Sequence, residues 1–475
     1  VDNFTVSGEF GFYVKFFFYE EKFPIFSGSK ELYKHKSSKN QSLKSMMAVA
    51  YDADSYSANG NLLSYNSVWN KAIKASKQPT ALLENAYSGS APQFAVCGDK
   101  IVMVYQGVDR SADSAANSLA LYYSIYNASS DSWSVPSKLD DNQNSDMAFS
   151  LEVCNDNIYV VYTQSNKSLS NDMSMSDAFK NIDVYASVFD ANSNSFGNTQ
   201  RLSDNESYDS TPVIKNIGGV PTAIWINNAE NEPFLKGDSN SIMISRYVDG
   251  NWTEAQTAVS NITSPINCNM LDSSNGGTII YTTDSDGDFT TTSDRSTVSY
   301  DLSDGSAKTI ESGVESDVET AEILGKDTVM WYKNGKLMQY DSESKEVSEA
   351  ATVSSSLAKN FEIATDNNGN YALVYVENDN TVYAMYLNSE NGKWQNPVKV
   401  ASSNNNIENL AVEYIDGNLT LTYYDTKVTD MDTMETESSL VTVVSESASK
   451  PEITSADVNY DNLVNDEISE ICVDV

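Results

Sequence analysis

Gly98-Asp-Lys-Ile-Val-Met-Val-Tyr105 is a turn, a short apolar run and a large aromatic, and the chain repeats that pattern seven times. The other endings are Tyr159-Val-Val-Tyr162, Thr222-Ala-Ile-Trp225, Thr278-Ile-Ile-Tyr281, Thr328-Val-Met-Trp331, Ala372-Leu-Val-Tyr375 and Leu419-Thr-Leu-Thr-Tyr423. Subtracting neighbouring positions spaces the aromatics 57, 63, 56, 50, 44 and 48 residues apart. Short apolar runs bounded by Gly, Asn and Asp are strand-length rather than helix-length. A repeat of about 50 residues built from such strands belongs to a propeller or a solenoid.

Each unit divides into four strands. In the first they cover 92–97, 100–106, 119–126 and 133–139, with turns at Gly98-Asp99 and Asn127-Ala-Ser-Ser-Asp131. Four-stranded antiparallel sheets repeated about an axis make a β-propeller. Units begin near residues 91, 147, 211, 265, 317, 357 and 407, so the all-β chain is expected to form seven blades within 46–450. The seventh unit supplies strands at 410–414, 419–423 and 440–444, then runs straight to Pro451 without a fourth. The segment 78–84, Gln-Pro-Thr-Ala-Leu-Leu-Glu, is strand-like and has no other place. Pairing it with the last sheet closes the ring and covers an edge that would otherwise template aggregation. The seven aromatics then fill the wedges between blades, each burial contributing roughly 1.5–3 kcal/mol.

The flanks differ from the repeat. Phe10, Phe12, Val14, Phe16 and Phe18 alternate as in a strand, and a Lys/Ser stretch follows at 34–44. Residues 1–45 therefore read as the tail of a preceding β-domain, or a hairpin packed on the ring, plus a linker. Residues 451–475 read as the opening of a truncated β-sandwich. The chain starts at Val1 with no leader, and both ends read as cut from something longer.

Composition narrows the partners. Asp and Glu number 67 against 30 Lys and Arg, a formal charge of -37. Such a surface repels nucleic acid and anionic headgroups, so neither is an expected partner. The charge serves solubility or, in a sharper reading, cation binding, with Ca²⁺ the candidate. The single histidine, His35, lies outside the repeats. His-rich zinc sites are excluded, and any Ser-His-Asp or Cys-His machine has one imidazole to draw on. Cys97 and Cys154 take matching places in Val-Cys97-Gly and Val-Cys154-Asn, which reads as buried free thiols. No run of 18 apolar residues occurs, so no membrane insertion is expected. Abundant Asn, Ser, Asp and Tyr suit an extracellular surface protein.

In a propeller the loop between second and third strands shares a face with the connection between blades. These loops are long in five consecutive blades of the closed ring: 107–117 in the first, 163–181 in the second, 227–240 in the third, 282–295 in the fourth and 425–437 in the seventh. The fifth and sixth have tight turns, Lys333-Asn-Gly335 and Glu377-Asn-Asp379. Binding groups usually sit on loops held by a rigid scaffold. The candidates there are Asp109, Arg110, Asp172, Asp177, Asp430 and Asp432, taking a glycan or a protein ligand. The strongest local signal is Asp284-Ser-Asp286-Gly-Asp288, three carboxylates around a glycine that wrap a hard cation or form a solvated acidic turn. No other cofactor is expected.

The first reading is thus a non-enzymatic binding module. The alternative is a glycan-active enzyme on the same face, a glycoside hydrolase or a sialidase-like protein. Glycoside hydrolysis needs paired carboxylates, which are too common here to single out. The Ser-x-Asp-x-Gly-x-x-Trp turn of sialidases has only imperfect matches, Ser389-Glu-Asn-Gly-Lys-Trp394 and Ser129-Ser-Asp131-Ser-Trp133. Those enzymes also clamp a carboxylate with three arginines, and this chain has four, Arg110, Arg201, Arg246 and Arg295, scattered over four blades. Leu62-Leu-Ser-Tyr-Asn-Ser-Val-Trp69, Leu82-Leu-Glu-Asn-Ala-Tyr87, Asp109-Arg110, Leu121-Tyr-Tyr-Ser-Ile-Tyr126 and Trp133-Ser-Val-Pro136 resemble propeller regions of very large secreted or wall-associated proteins of Gram-positive, Clostridia-like bacteria. In those a CARDB-like or Ig-like sandwich often follows. The resemblance implies an extracellular or cell-surface location, as one module of a longer chain, and no defined activity.

Overall fold

The computed structural model describes residues 11–16, 19–24, 80–83, 455–457, 472–474 and, with short interruptions, 90–445. Seven antiparallel sheets form the ring of a seven-bladed β-propeller. From the axis outward, blade 1 is Gln93–Cys97, Lys100–Val108, Leu119–Asn127 and an outer edge in two pieces, Ser132–Trp133 and Ser137–Lys138. Blade 2 is Asp146–Cys154, Asn157–Ser165, Ile182–Asp190 and Ser195–Arg201. The innermost strands of blades 3 to 7 are Tyr208–Ile217, Pro265–Leu271, Glu319–Ile323, Phe361–Thr365 and Asn406–Ile415. Each innermost strand touches the next, and that of blade 7 touches that of blade 1, so the ring is closed.

Blade 7 takes its outer strand from the other end of the chain. Thr80–Leu83 pairs antiparallel with Glu435–Ser445, Thr80 opposite Thr442 and Leu83 opposite Leu440. The closing strand therefore falls inside the expected segment. The flanking sequences form two separate two-stranded pairings, Gly11–Phe16 with Tyr19–Pro24 and Ser455–Asp457 with Cys472–Asp474. Of the alternating run at 10–18, residues 11–16 form the first arm of a hairpin. The linker at 34–44 and most of 451–475 lie outside the described residues.

Turn chemistry explains the sharp reversals within blades. Asn155-Asp156 and Asn334-Gly335 hold positive φ at both central positions, with angles of 50° and 60° and of 52° and 77°. That geometry matches the twist of two-residue hairpins and favours Asn, Asp and Gly. The core lies in the clefts between blades rather than at one centre. Every repeated aromatic is buried, from Tyr281 at 8% exposure to Tyr162, Trp225, Trp331 and Tyr423 at 0%. Six of them pack into the cluster shared with the preceding blade: Tyr162 against Val102 and Leu121, Trp225 with Val161, Tyr281 with Ile224, Trp331 with Ile280, Tyr375 with Met330, and Tyr423 with Val374. The wedge role is therefore systematic, blade after blade. Cys154 and Cys268 are buried free thiols, whereas Cys97 is only half-buried at its strand end.

Carboxylates gather near the axis. Glu152, Glu319, Glu362 and Glu413 stand on the innermost strands of blades 2, 5, 6 and 7. Lys215 of blade 3 comes within 3.7 Å of Glu152 and also acts on Glu319 and Glu413. Burial raises all four, pushing Glu413 up to about 7 and Glu362 up to about 8, and for Glu319, Glu362 and Glu413 nearby carboxylates add to it.

Candidate functional site

The long loops of the second-to-third connection form a built rim rather than loose arms. Ala116 of the blade 1 loop, Leu169, Ala178 and Phe179 of the blade 2 loop and Leu235 of the blade 3 loop are buried in one cluster with Met147, Tyr208 and Ile262. The rings of Phe179 and Tyr208 lie 4.5 Å apart. Asn117, buried in the blade 1 loop, reaches across to the blade 2 loop. Its Nδ2 donates to Ser168 Oγ at 2.7 Å, and its Oδ1 accepts from Leu169 N at 2.7 Å. Lys236 of blade 3 sits 5.6 Å from the Phe289 ring of blade 4. Loops with their own apolar contacts hold side chains in place, which a binding surface needs.

Blade 7 differs from expectation. Its second and third strands run on as Asn418–Asp430 and Glu435–Ser445, with Val428 opposite Thr436 and Asp430 opposite Glu435. The segment 425–437 is mostly a projecting hairpin, not a loop. Its arms carry Thr426, Val428, Thr429 and Thr436, which favour strand, and Thr426 and Ser438 hydrogen-bond across it at 2.9 Å. Asp430 closes this strand, and Asp432 lies outside the described residues, as do Arg110 and Asp172. Asp109 is buried and committed internally. Its carboxylate accepts from Lys138 Nζ and from Ser111 N and Oγ at 2.9 and 2.7 Å. Burial alone would raise its pKa, but these donors outweigh that and hold it below the usual range. Asp177 is exposed on the short helix Met175–Phe179, where it accepts from Ser174 Oγ at 2.7 Å and pairs with Lys180. Of the six expected ligand residues, Asp109 and Asp177 are the two whose side chains are described, and each is held by partners of its own.

What does converge is a cavity of about 400 Å³ between blades 2 and 3, on this same face. Asn166-Lys167, Lys180-Asn181, Arg201 and Asp204-Asn-Glu206 line it, and every one is polar. Two buried carboxylates lie next to its wall. Asp183, wholly buried, accepts from Asn166 Nδ2 at 2.6 Å and from Arg201 Nη2 at 2.5 Å. Asp209, also buried, accepts from Trp225 Nε1 at 3.0 Å and Asn227 Nδ2 at 2.7 Å. Burial drives Asp209 up to about 7 despite these donors. Asp183 thereby fixes Arg201 and Asn166, both of which line the cavity, and Arg201 also pairs with Asp204 at 2.9 Å. Three of the chain's 30 Lys and Arg residues, Lys167, Lys180 and Arg201, meet here. Lys167 and Lys180 share the blade 2 loop and Arg201 ends the outer strand of the same blade, so the three join through the folding of that one blade.

Groups pushed toward neutrality mark functional sites or structural networks alike. Asp146, also on this face, is raised to about 8 by burial, then by Asp140 nearby. It is 2% exposed, its Oδ2 accepts from Leu121 N at 3.0 Å and its Oδ1 from Gln164, so it bridges blades 1 and 2. Neither Asp146 nor Asp209 lines the cavity.

The acidic loop of blade 4 gathers a trio that differs from the one expected. Asp284, Asp286 and Asp294 bring ligand atoms within 4.8 Å of one another. Asp288 turns to its own loop, accepting from Thr290 N and Oγ1 at 3.1 and 2.6 Å. The hairpin register explains the exchange. Asp284 ends one strand opposite Arg295, which begins the next, so Asp294 returns beside Asp284. Burial, then Asp294, raises Asp284 to about 6.

No family model matches this chain, and no curated protein does. Among solved structures, a Trypanosoma rangeli sialidase in complex with sialic acid is similar with a TM-score of 0.42 and 9% identity, over 76% of this chain and 55% of that one. A Hadza microbial sialidase gives 0.43 and 10%, over 76% and 68%. A mutant of the NanB sialidase from Streptococcus pneumoniae gives 0.39 and 11%, over 83% and 72%. The chain spans little more than half the length of the trypanosomal protein. These are likenesses of chain path at low identity, and no site residue is carried over from them.

Proposed function

We propose that this propeller is a non-enzymatic binding module whose ligand is a glycan held in the cavity between blades 2 and 3. The observation that carries the reading is the cavity itself: concave, polar on every side and braced by Asp183. Amide, carboxylate and cationic side chains in fixed positions match the donors and acceptors of a hydroxyl-rich ligand. Ordinary small-molecule pockets are mostly apolar, which this one is not. Binding through hydrogen bonds alone is weak, with Kd on the order of 1 mM, about -4 kcal/mol. Weak sites gain strength when several engage together. That suits a module of a longer surface chain, and we propose an extracellular setting for it, in keeping with its composition and the resemblance of residues 62–139.

A glycan array followed by calorimetry on the strongest hits tests this. Lys167→Ala and Glu206→Ala, both exposed, are expected to weaken binding about fivefold or more without lowering the melting temperature. Binding unchanged in both variants refutes the cavity. Release of sugar from the same glycans refutes the non-enzymatic reading, and capture of proteins but no glycan refutes the ligand class.

A further inference from the structure

The blade 4 loop carries a second site, independent of the glycan reading. Asp284 is wholly buried, and its carboxylate is half satisfied: Oδ1 accepts from Gly287 N at 2.9 Å. No donor among the described residues reaches Oδ2. The nearest cationic nitrogen, Arg295 Nε, stands 3.7 Å away, too far for a hydrogen bond, and is itself buried without a partner. Arg295 is turned elsewhere, its Nη2 donating to Phe289 O at 2.7 Å. A buried carboxylate oxygen without a donor is rare, because leaving it so costs the full desolvation penalty.

Two further carboxylates close on that oxygen's residue. Asp286 is exposed and Asp294 partly so, and both are oriented by the loop: Asp294 Oδ2 accepts from Ser285 Oγ at 3.0 Å and Asp286 N at 3.1 Å. Three like charges this close repel unless something positive lies among them. Ca²⁺ binds oxygen at 2.3–2.6 Å, so two ligands on opposite sides of one ion lie roughly 5 Å apart. The 4.8 Å span of the trio fits around one such ion. All three ligands are hard oxygens, with no sulfur or imidazole to favour a transition metal. The exposed side leaves room for the waters that complete the shell.

We infer that Asp284, Asp286 and Asp294 bind a single divalent cation, Ca²⁺ by its ligand set, which fixes the blade 4 loop against the ring. The ion replaces the missing donor at Asp284 Oδ2 and offsets the repulsion among the three. It also steadies Phe289, which that loop holds under Lys236 of the blade 3 loop.

Calorimetry of CaCl₂ into the chelator-treated full chain is the test, paired with melts in Ca²⁺ and in EDTA. One equivalent is expected to bind, and the wild-type midpoint to rise by a few degrees in excess Ca²⁺. Asp294→Asn is expected to weaken binding at least about tenfold and abolish the shift, while Asp288→Asn leaves both intact. Asp286→Asn, at an exposed position, repeats the test should Asp294→Asn fail to fold. No binding by the wild type overturns the assignment. So does binding that survives Asp286→Asn and Asp294→Asn, or equal loss in Asp288→Asn.

Discussion

Neutralising Glu413 should flatten the pH dependence of stability. Glu413 lies on the innermost strand of blade 7, opposite Thr420 and near Glu152 and Lys215. Burial first, then Glu152, lifts it from the usual 4.5 to about 7, with Lys215 pulling the other way. A carboxyl raised in the folded state binds a proton that the unfolded chain has released. Its contribution is therefore complete below about 4.5 and lost as pH rises through about 7. Each pH unit of that gap is worth about 1.4 kcal/mol, a ceiling of about 3 kcal/mol. Glu413 keeps some contact with water, which cuts the figure to about 1.5 kcal/mol. Denaturant unfolding of wild type and Glu413→Gln at steps from pH 5 to 8.5 measures it. The wild type should lose stability across the range, and the variant should lose about 1.5 kcal/mol less. Glu362 and Asp146, raised to about 8, and Asp209, raised to about 7, act in the same direction but are common to both proteins. An identical slope in Glu413→Gln, or a steeper one, refutes the account.

Two further outcomes follow from packing. Trp225 donates to buried Asp209, whereas Trp331 Nε1 finds no partner among the described residues. Trp225→Phe should therefore cost about 1–2 kcal/mol more than Trp331→Phe, read as the difference in unfolding free energy. A chain starting at Ser90 lacks the closing strand and exposes the edge of Glu435–Ser445, so it should melt lower and self-associate in light scattering, unlike one starting at Lys77.

The architecture is legible from sequence because one physical demand recurs: a wedge between blades needs a large side chain at the same strand position. Tyr162, Trp225, Tyr281, Trp331, Tyr375 and Tyr423 each meet it, and the missing fourth strand near 444 points to Thr80–Leu83 for closure. The site is less legible because it depends on pairing over distance. Asp294 joins Asp284 only through hairpin register, while Asp288, nearer in sequence, turns away. Lys167, Lys180 and Arg201 meet only once blade 2 is folded. Asp109 looks free in sequence, yet Lys138 from the outer strand claims it. The segment 425–437 reads as a loop by its acids, but Thr426, Val428, Thr429 and Thr436 carry it on as strand.

The closing strand also sets a schedule for synthesis. Leu83 must pair with Leu440, which lies 357 positions later by subtraction. At about 5–20 residues per second, the ribosome delivers that partner roughly 20–70 s after the early strand emerges. Through that interval the first strand of the ring is a solitary segment, while six blades assemble as an open arc behind it. The closure is the longest-range pairing of the described strands, and such pairings are the slow steps of folding. The cell must keep a short apolar strand from the wrong edge for roughly 20–70 s, and the seventh blade is the last of the ring to be completed.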